Sequence, residues 1–303
     1  MWKPAPYGIV KFGRKLDSLG YYNSREIAEY PSNDYKRVCV LGSSFVMDIT
    51  LDHEHTVCGA LQRHFDDRGY SNVFVYNCGI SGSVSSQDLS NLVHHVADFD
   101  PSVVVVISGS NDVANALGGD PRPGYPPLFA FWEQIILRKL TRSDLPINNS
   151  GEYLNTLRKT VGYPSPKWLS EQFATGRRNL EKMGAFAHGQ NFGCLLVNPP
   201  TKFGHQMDAK PFVSGTATLT SYDDVMKADA YQRALYFRNQ LAMLHQLIVN
   251  SSLDLTDIFN DAPPSCFVDA KHLTAEGYDQ VAERIFEQLT AGFPSVFATH
   301  SPP

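Results

Sequence analysis

The chain is poor in cysteine, has no basic cluster and no long apolar run, and each shortage removes a class of function. Five irregularly spaced cysteines in 303 residues cannot form the framework of a disulfide-stapled domain. Cys39, Cys78 and Cys194 fall in or beside apolar runs, where a free thiol behaves as a small hydrophobe. They favour a reducing, cytoplasmic compartment; export followed by loss of a leader is the other expectation. Lys and Arg number 26 against 31 Asp and Glu, a net charge of −5, and no stretch concentrates the cations. Nucleic acid is therefore not expected as a partner. No apolar stretch reaches the roughly 20 residues that a membrane-spanning helix needs, so no integral membrane segment is expected. No signal bears on the oligomeric state.

Metal and cofactor signatures are missing as well. No Cys/His set has zinc-site spacing, and the neighbours His53 and His55, like His94 and His95, point in different directions and are expected in solvent. Gly79 and Gly82 do not make a dinucleotide fingerprint, and Gly42-Ser43-Ser44 lacks the lysine of a phosphate loop. We expect neither metal nor cofactor.

What is present is an ordinary core-forming composition, 43% hydrophobic and 19% charged. Val38-Cys39-Val40-Leu41 reads as a strand buried on both faces, and Gly42-Ser43-Ser44 as a turn that exposes a hydroxyl at its carboxyl end. Further strands are predicted at Val73-Phe74-Val75-Tyr76, Val103 to Ile107, Cys194 to Val197 and Leu253-Asp254-Leu255. Helices are predicted at His53 to Arg68, Ser86 to Asp98, Lys167 to His188, Val225 to Asn250 and Thr274 to Leu289, the last with Thr274 as N-cap.

Residues 1–36 lack periodicity and read as an arm, and residues 37–303 as one domain interrupted at about 115–166 and 201–224. The first interruption holds one amphipathic piece, Phe129 to Leu140. Its apolar side chains are expected to pack on the body rather than form a lid or touch lipid. Strands alternating with helices imply an α/β fold: a five-stranded parallel sheet, doubly wound and covered on both faces, with cap insertions.

In such a sheet all strands end at one edge, where ligands bind. The turns carrying Ser44, Gly82 and Asn111 and the loop carrying Asp269 and His272 are expected to meet there. Acyl transfer needs a nucleophile, a base, a group that orients the base, and donors for an oxyanion. Ser44, His272 and Asp269 supply the first three; the N–H groups of Ser44 and Gly82 and the amide of Asn111 supply the donors. Ser43 stands beside Ser44, so the turn offers two hydroxyls. Taken singly, each piece is ordinary: a turn serine, an Asx-turn at Asn111-Asp112, an acid near a helix start.

In order and in strand context, Gly42-Ser43-Ser44, Asn77-Cys78-Gly79-Ile80-Ser81-Gly82, Gly109-Ser110-Asn111-Asp112 and Asp269-Ala270-Lys271-His272 resemble the four blocks of the SGNH (GDSL-like) hydrolases. The resemblance spans roughly residues 37–290 and departs from the family where Ser43 replaces an acidic residue. It implies a flavodoxin-like three-layer α/β/α sandwich and a serine esterase acting on an acyl ester, acetyl among them. It assigns to Ser44, Gly82, Asn111, Asp269 and His272 the roles just given. The substrate expected is a small-molecule or carbohydrate ester. The rival readings are an O-acyltransferase acting on a carbohydrate with the same residues, and a silent binding protein on the same fold.

Overall fold

The computed structural model describes residues 13–109, 111–112, 120–126, 129–141, 150–163, 165–200, 252–256, 258–259, 264–269 and 271–298. Five strands form the centre: β1 (Lys36–Gly42), β2 (Val73–Asn77), β3 (Val103–Ile107), β4 (Gly193–Asn198) and β5 (Ser252–Asp254). All neighbouring pairs are parallel and the order is β2-β1-β3-β4-β5, so the chain steps outward from β1 in both directions. This is the flavodoxin-like doubly wound order, with its switch point between β1 and β3. The expected sheet and all five expected strands are present.

The period of two divides the apolar residues between two cores. Val38 and Val40 of β1, with Val103, Val105 and Ile107 of β3, face α1 (Val57–Asp67) and the C-terminal helix, which buries Tyr278, Val281, Ile285 and Leu289. Cys39, Leu41, Val104 and Val106 face the other way, against Leu92 of α2 (Ser85–His94) and Leu180 and Met183 of a long helix. Each fully buried aliphatic side chain contributes about 1.5–3 kcal/mol, which explains why β3, flanked on both faces and both edges, is apolar throughout.

Among the described residues the remaining helices are α3 (Phe129–Thr141), α4 (Ser150–Val161), α5 (Pro166–Gly189, the long one) and α6 (Ala275–Gly292, the C-terminal one). Part of the segment before β1 is tied to the α2 side of the sheet. Tyr21 is wholly buried there and donates to Asn91 Oδ1 at 2.6 Å, while Asp17 accepts from the Tyr21 N–H and from the Tyr76 hydroxyl.

Several boundaries differ from expectation. The first helix starts at Val57, and His53–His55 form a separate 3-10 turn. Thr56 causes the break: its hydroxyl donates to His53 O at 2.7 Å and accepts from Gly59 N, which caps the α-helix. The second helix stops at His94 and is followed by a 3-10 turn at Val96–Phe99. Helix α4 was not expected, because its apolar residues are too few to show a period; its Tyr153 is anchored through Glu133, which is paired with Arg122. Helix α3 exists as expected, but Phe129, Phe131, Trp132, Ile136, Leu137 and Leu140 are exposed, and Ala130 is its one buried residue. His53, expected in solvent, is largely enclosed edge-on to Tyr22, and burial pulls its pKa down to about 4. The expected helix Val225 to Asn250 and the interruption at 201–224 lie outside the described residues.

Candidate active site

The carboxyl ends of β1, β2 and β3 carry Ser44, Gly82 and Asn111 into adjacent turns. Gly42 lets the first turn form: a Cβ there would lie 2.3 Å from the carbonyl oxygen of Ile107 at the end of β3. Hydrogen bonds join the first two turns. Ile80 N donates to Gly42 O at 2.8 Å, Asn77 Nδ2 donates to Val46 O at 2.8 Å, and Asn77 Oδ1 accepts from Gly79 N at 2.9 Å. Gly82 has a φ of 77°, in the left-handed region open to glycine, and nothing lies within 4 Å of where a Cβ would be.

Asp269 and His272 come from the loop before α6. An antiparallel bridge between Phe267 and Leu273 closes that loop, with Val268 N donating to His272 O at 2.9 Å. Thr274 caps α6 at the loop's end by accepting from Gly277 N. The loop is thus held at both ends by backbone bonds, and its tip is turned towards Ser44.

Three of the expected residues meet in one chain. Ser44 Oγ lies 2.9 Å from His272 Nε2, and His272 Nδ1 lies 2.6 Å from Asp269 Oδ2. The other carboxylate oxygen of Asp269 accepts from the N–H groups of Lys271 and His272, both at 2.9 Å. Burial resists ionisation of this carboxyl, but the two N–H donors and the imidazole outweigh it and hold the pKa below the ordinary carboxylate value. An ionised carboxylate only accepts, so Nδ1 carries the ring proton and Nε2 is left to accept from the Ser44 hydroxyl. Ser43, the rival hydroxyl, is buried, and its carbonyl accepts from Val46 N and Met47 N within the turn.

Asn111 sits beside this chain in a different setting. It is buried; its Nδ2 donates to Ser83 O at 2.9 Å, and its Oδ1 accepts from Lys271 Nζ at 2.6 Å. Among the described residues, the backbone N–H groups of Ser44 and Gly82 have no hydrogen-bond partner. Below Asn111 lies a buried polar layer. Asp88 accepts from Ser83 Oγ at 2.7 Å and Ser108 Oγ at 2.5 Å; Asp112 accepts from Ser85 N at 2.9 Å and Ser85 Oγ at 2.5 Å. Burial pushes Asp88 up to about 7 and Asp112 up to about 6, against the opposing pull of these hydroxyl donors.

Asp112 ties its loop to the start of α2 through Ser85. The layer around Asp88 was not foreseen. Its signal is the polar run Ser85, Asp88, Asn91 at a spacing of three, next to the inward Leu89 and Leu92 on the same helix. Lys271 was also passed over, lying within the last block without a role. Away from the site, Asp52, Glu54 and His55 bring ligand atoms within 4.8 Å of one another on the exposed surface, and Asp52 is paired with Arg14.

Neither a protein-family model nor a curated protein sequence matches the chain. Among solved structures it is similar to an acetyl xylan esterase from Geobacillus stearothermophilus, at 12% identity and a TM-score of 0.49, over 84% of this chain and 94% of that one. It is similar to the acetyl xylan esterase AlAXEase at 14% identity and a TM-score of 0.48, over 84% and 99%. It is similar to the lipase/acylhydrolase from Enterococcus faecalis at 14% identity and a TM-score of 0.47, over 85% and 96%. The chain itself is a doubly wound parallel α/β protein with a hydrogen-bonded Ser-His-Asp chain at the carboxyl edge of its sheet.

Proposed function

We propose that this protein is a serine esterase of the SGNH (GDSL-like) type, which hydrolyses an acyl ester through an acyl-enzyme on Ser44. One observation carries the reading: the unbroken contact from Asp269 through His272 to the Ser44 hydroxyl, at 2.6 and 2.9 Å. The four sequence blocks, in family order, support it independently.

In this mechanism His272 Nε2 takes the Ser44 proton as Oγ attacks the ester carbonyl carbon. Asp269 stabilises the imidazolium that forms. The negative charge on the former carbonyl oxygen is met by the N–H groups of Ser44 and Gly82 and by the second hydrogen of Asn111 Nδ2, whose first is held by Ser83 O. Collapse expels the alcohol, which takes the proton from His272. Water then enters, loses a proton to His272 and releases the acid, restoring Ser44.

Acetyl is the acyl group we favour, on a small-molecule or carbohydrate alcohol. The test is turnover of a series of p-nitrophenyl esters from acetyl upwards, alongside labelling by a fluorophosphonate. Turnover falling with chain length, with labelling lost in Ser44→Ala, is the expected result. Labelling that persists in Ser44→Ala, or no turnover across the series, overturns the reading.

A further inference from the structure

The ammonium of Lys271 spans the two parts of the site. Its backbone N–H donates to Asp269 Oδ1 at 2.9 Å, while its Nζ donates to Asn111 Oδ1 at 2.6 Å, across 160 positions of sequence. An amide side chain can present either its oxygen or its nitrogen on a given side, and the choice decides whether Asn111 can donate to an oxyanion. An ammonium has donors only, so the atom facing Lys271 must be the oxygen. On the opposite side Ser83 O can only accept, so the atom facing it must be the nitrogen, as the 2.9 Å contact has it. The two neighbours therefore agree on one orientation, and the flipped amide would lose both bonds, setting its oxygen against the Ser83 carbonyl and its NH2 against the ammonium. Lys271 is half-buried, which strengthens its bond to Asn111 by limiting competition from water.

We propose that Lys271 is a positioning residue for hydrolysis: it locks the Asn111 amide with Nδ2 directed at the developing oxyanion. The proposal rests on the serine-esterase reading above. It gives Lys271 a part in the transition state and none in holding the ground-state ester. It also predicts that the effect of Lys271 runs entirely through Asn111.

The experiment compares wild type and Lys271→Met on p-nitrophenyl acetate, with turnover counted per serine labelled by fluorophosphonate, and measures inhibition by phenylboronic acid, which forms a tetrahedral adduct on an active serine. A charged hydrogen bond lost from such an arrangement lowers kcat about tenfold, weakens the boronate by a similar factor and leaves KM within about twofold. A merely structural role would lower the labelled fraction and leave the boronate constant of the surviving enzyme unchanged. In an Asn111→Ala background, adding Lys271→Met should change kcat by less than about twofold.

The proposal is overturned if KM rises while kcat holds, if neither kcat nor boronate affinity changes, or if the full loss recurs in the Asn111→Ala background. Should Asn111→Ala show no cooperative thermal transition, the boronate comparison on Lys271→Met decides alone. The two readings fail separately. Inactive Ser44→Ala with unaltered Lys271→Met removes only the role of Lys271, whereas active Ser44→Ala removes the esterase mechanism and this role with it.

Discussion

The two halves of the candidate site are held in opposite ways. The proton-handling half, Ser44, His272 and Asp269, sits at the surface: the side chains of His272 and Asp269 keep 22% and 54% of their exposure. Its histidine and carboxylate come from one four-residue loop, and its carboxylate is served by two N–H groups of that same loop. The donor half, around Asn111, is buried over a layer of Ser83, Ser85, Asp88, Ser108 and Asp112, drawn from the ends of β2 and β3 and the start of α2. A surface loop can carry a base because water tolerates its charge changes. A donor aimed at an oxyanion works best where water is excluded and the dipole is fixed, and that requires every buried polar partner to be satisfied. The difference predicts that substitutions in the first half remove activity alone, while those in the second also reduce stability.

The largest effect should come from Ser44→Ala. Turnover of p-nitrophenyl acetate is expected to fall by about 10⁴-fold or more, with thermal stability within about 0.5 kcal/mol of wild type. A marked loss of stability in this variant would break the comparison. Next comes Asn111→Ala, with about a 10²- to 10³-fold loss in kcat. It should also be destabilised by about 1–3 kcal/mol, because the variant leaves Ser83 O and the Lys271 ammonium without their partner. Wild-type stability in that variant would show that the two halves are held alike.

A smaller effect is expected from pH. Asp88 has an ordinary value of 3.8 when unfolded and about 7 in the fold, so between these limits the native state binds the extra proton. Its contribution to stability is complete below about pH 4 and is lost as pH rises through about 7. Asp112 acts in the same sense, up to about 6. Thermal melts from pH 4 to 8 should therefore decline more gently in Asp88→Asn than in wild type, and an equal decline would remove Asp88 from the account. The smallest effect is expected outside both halves. Leu140→Ser on the exposed face of α3 should alter stability by less than about 0.5 kcal/mol and leave kcat/KM unchanged.

The same contrast runs through what was legible beforehand. The strands at Val38–Leu41 and Val103–Ile107 announce themselves as unbroken apolar runs, and the Asp269–His272 spacing is visible because four consecutive residues of one loop contain it. The break at Thr56 was not visible, since the side chain closes one turn and caps the next helix. Nor was the exposure of Trp132 and Leu140: an apolar period announces a helix and leaves open what covers it. The Asp88 layer was hidden for a related reason, because hydrogen bonds from Ser83 and Ser108 make a carboxyl compatible with the interior, and those partners lie 5 and 20 positions away.

By itself the sequence determined the α/β alternation, the five strands and the candidate set Ser44, Gly82, Asn111, Asp269 and His272, because side-chain period and turn chemistry act between near neighbours. Only the tertiary structure decided that the hydroxyl facing His272 belongs to Ser44 while Ser43 is buried, and that the Lys271 ammonium faces the oxygen of Asn111. Those choices depend on groups as many as 228 positions apart being brought within hydrogen-bond reach. Chain packing sets such distances, and no local pattern encodes them.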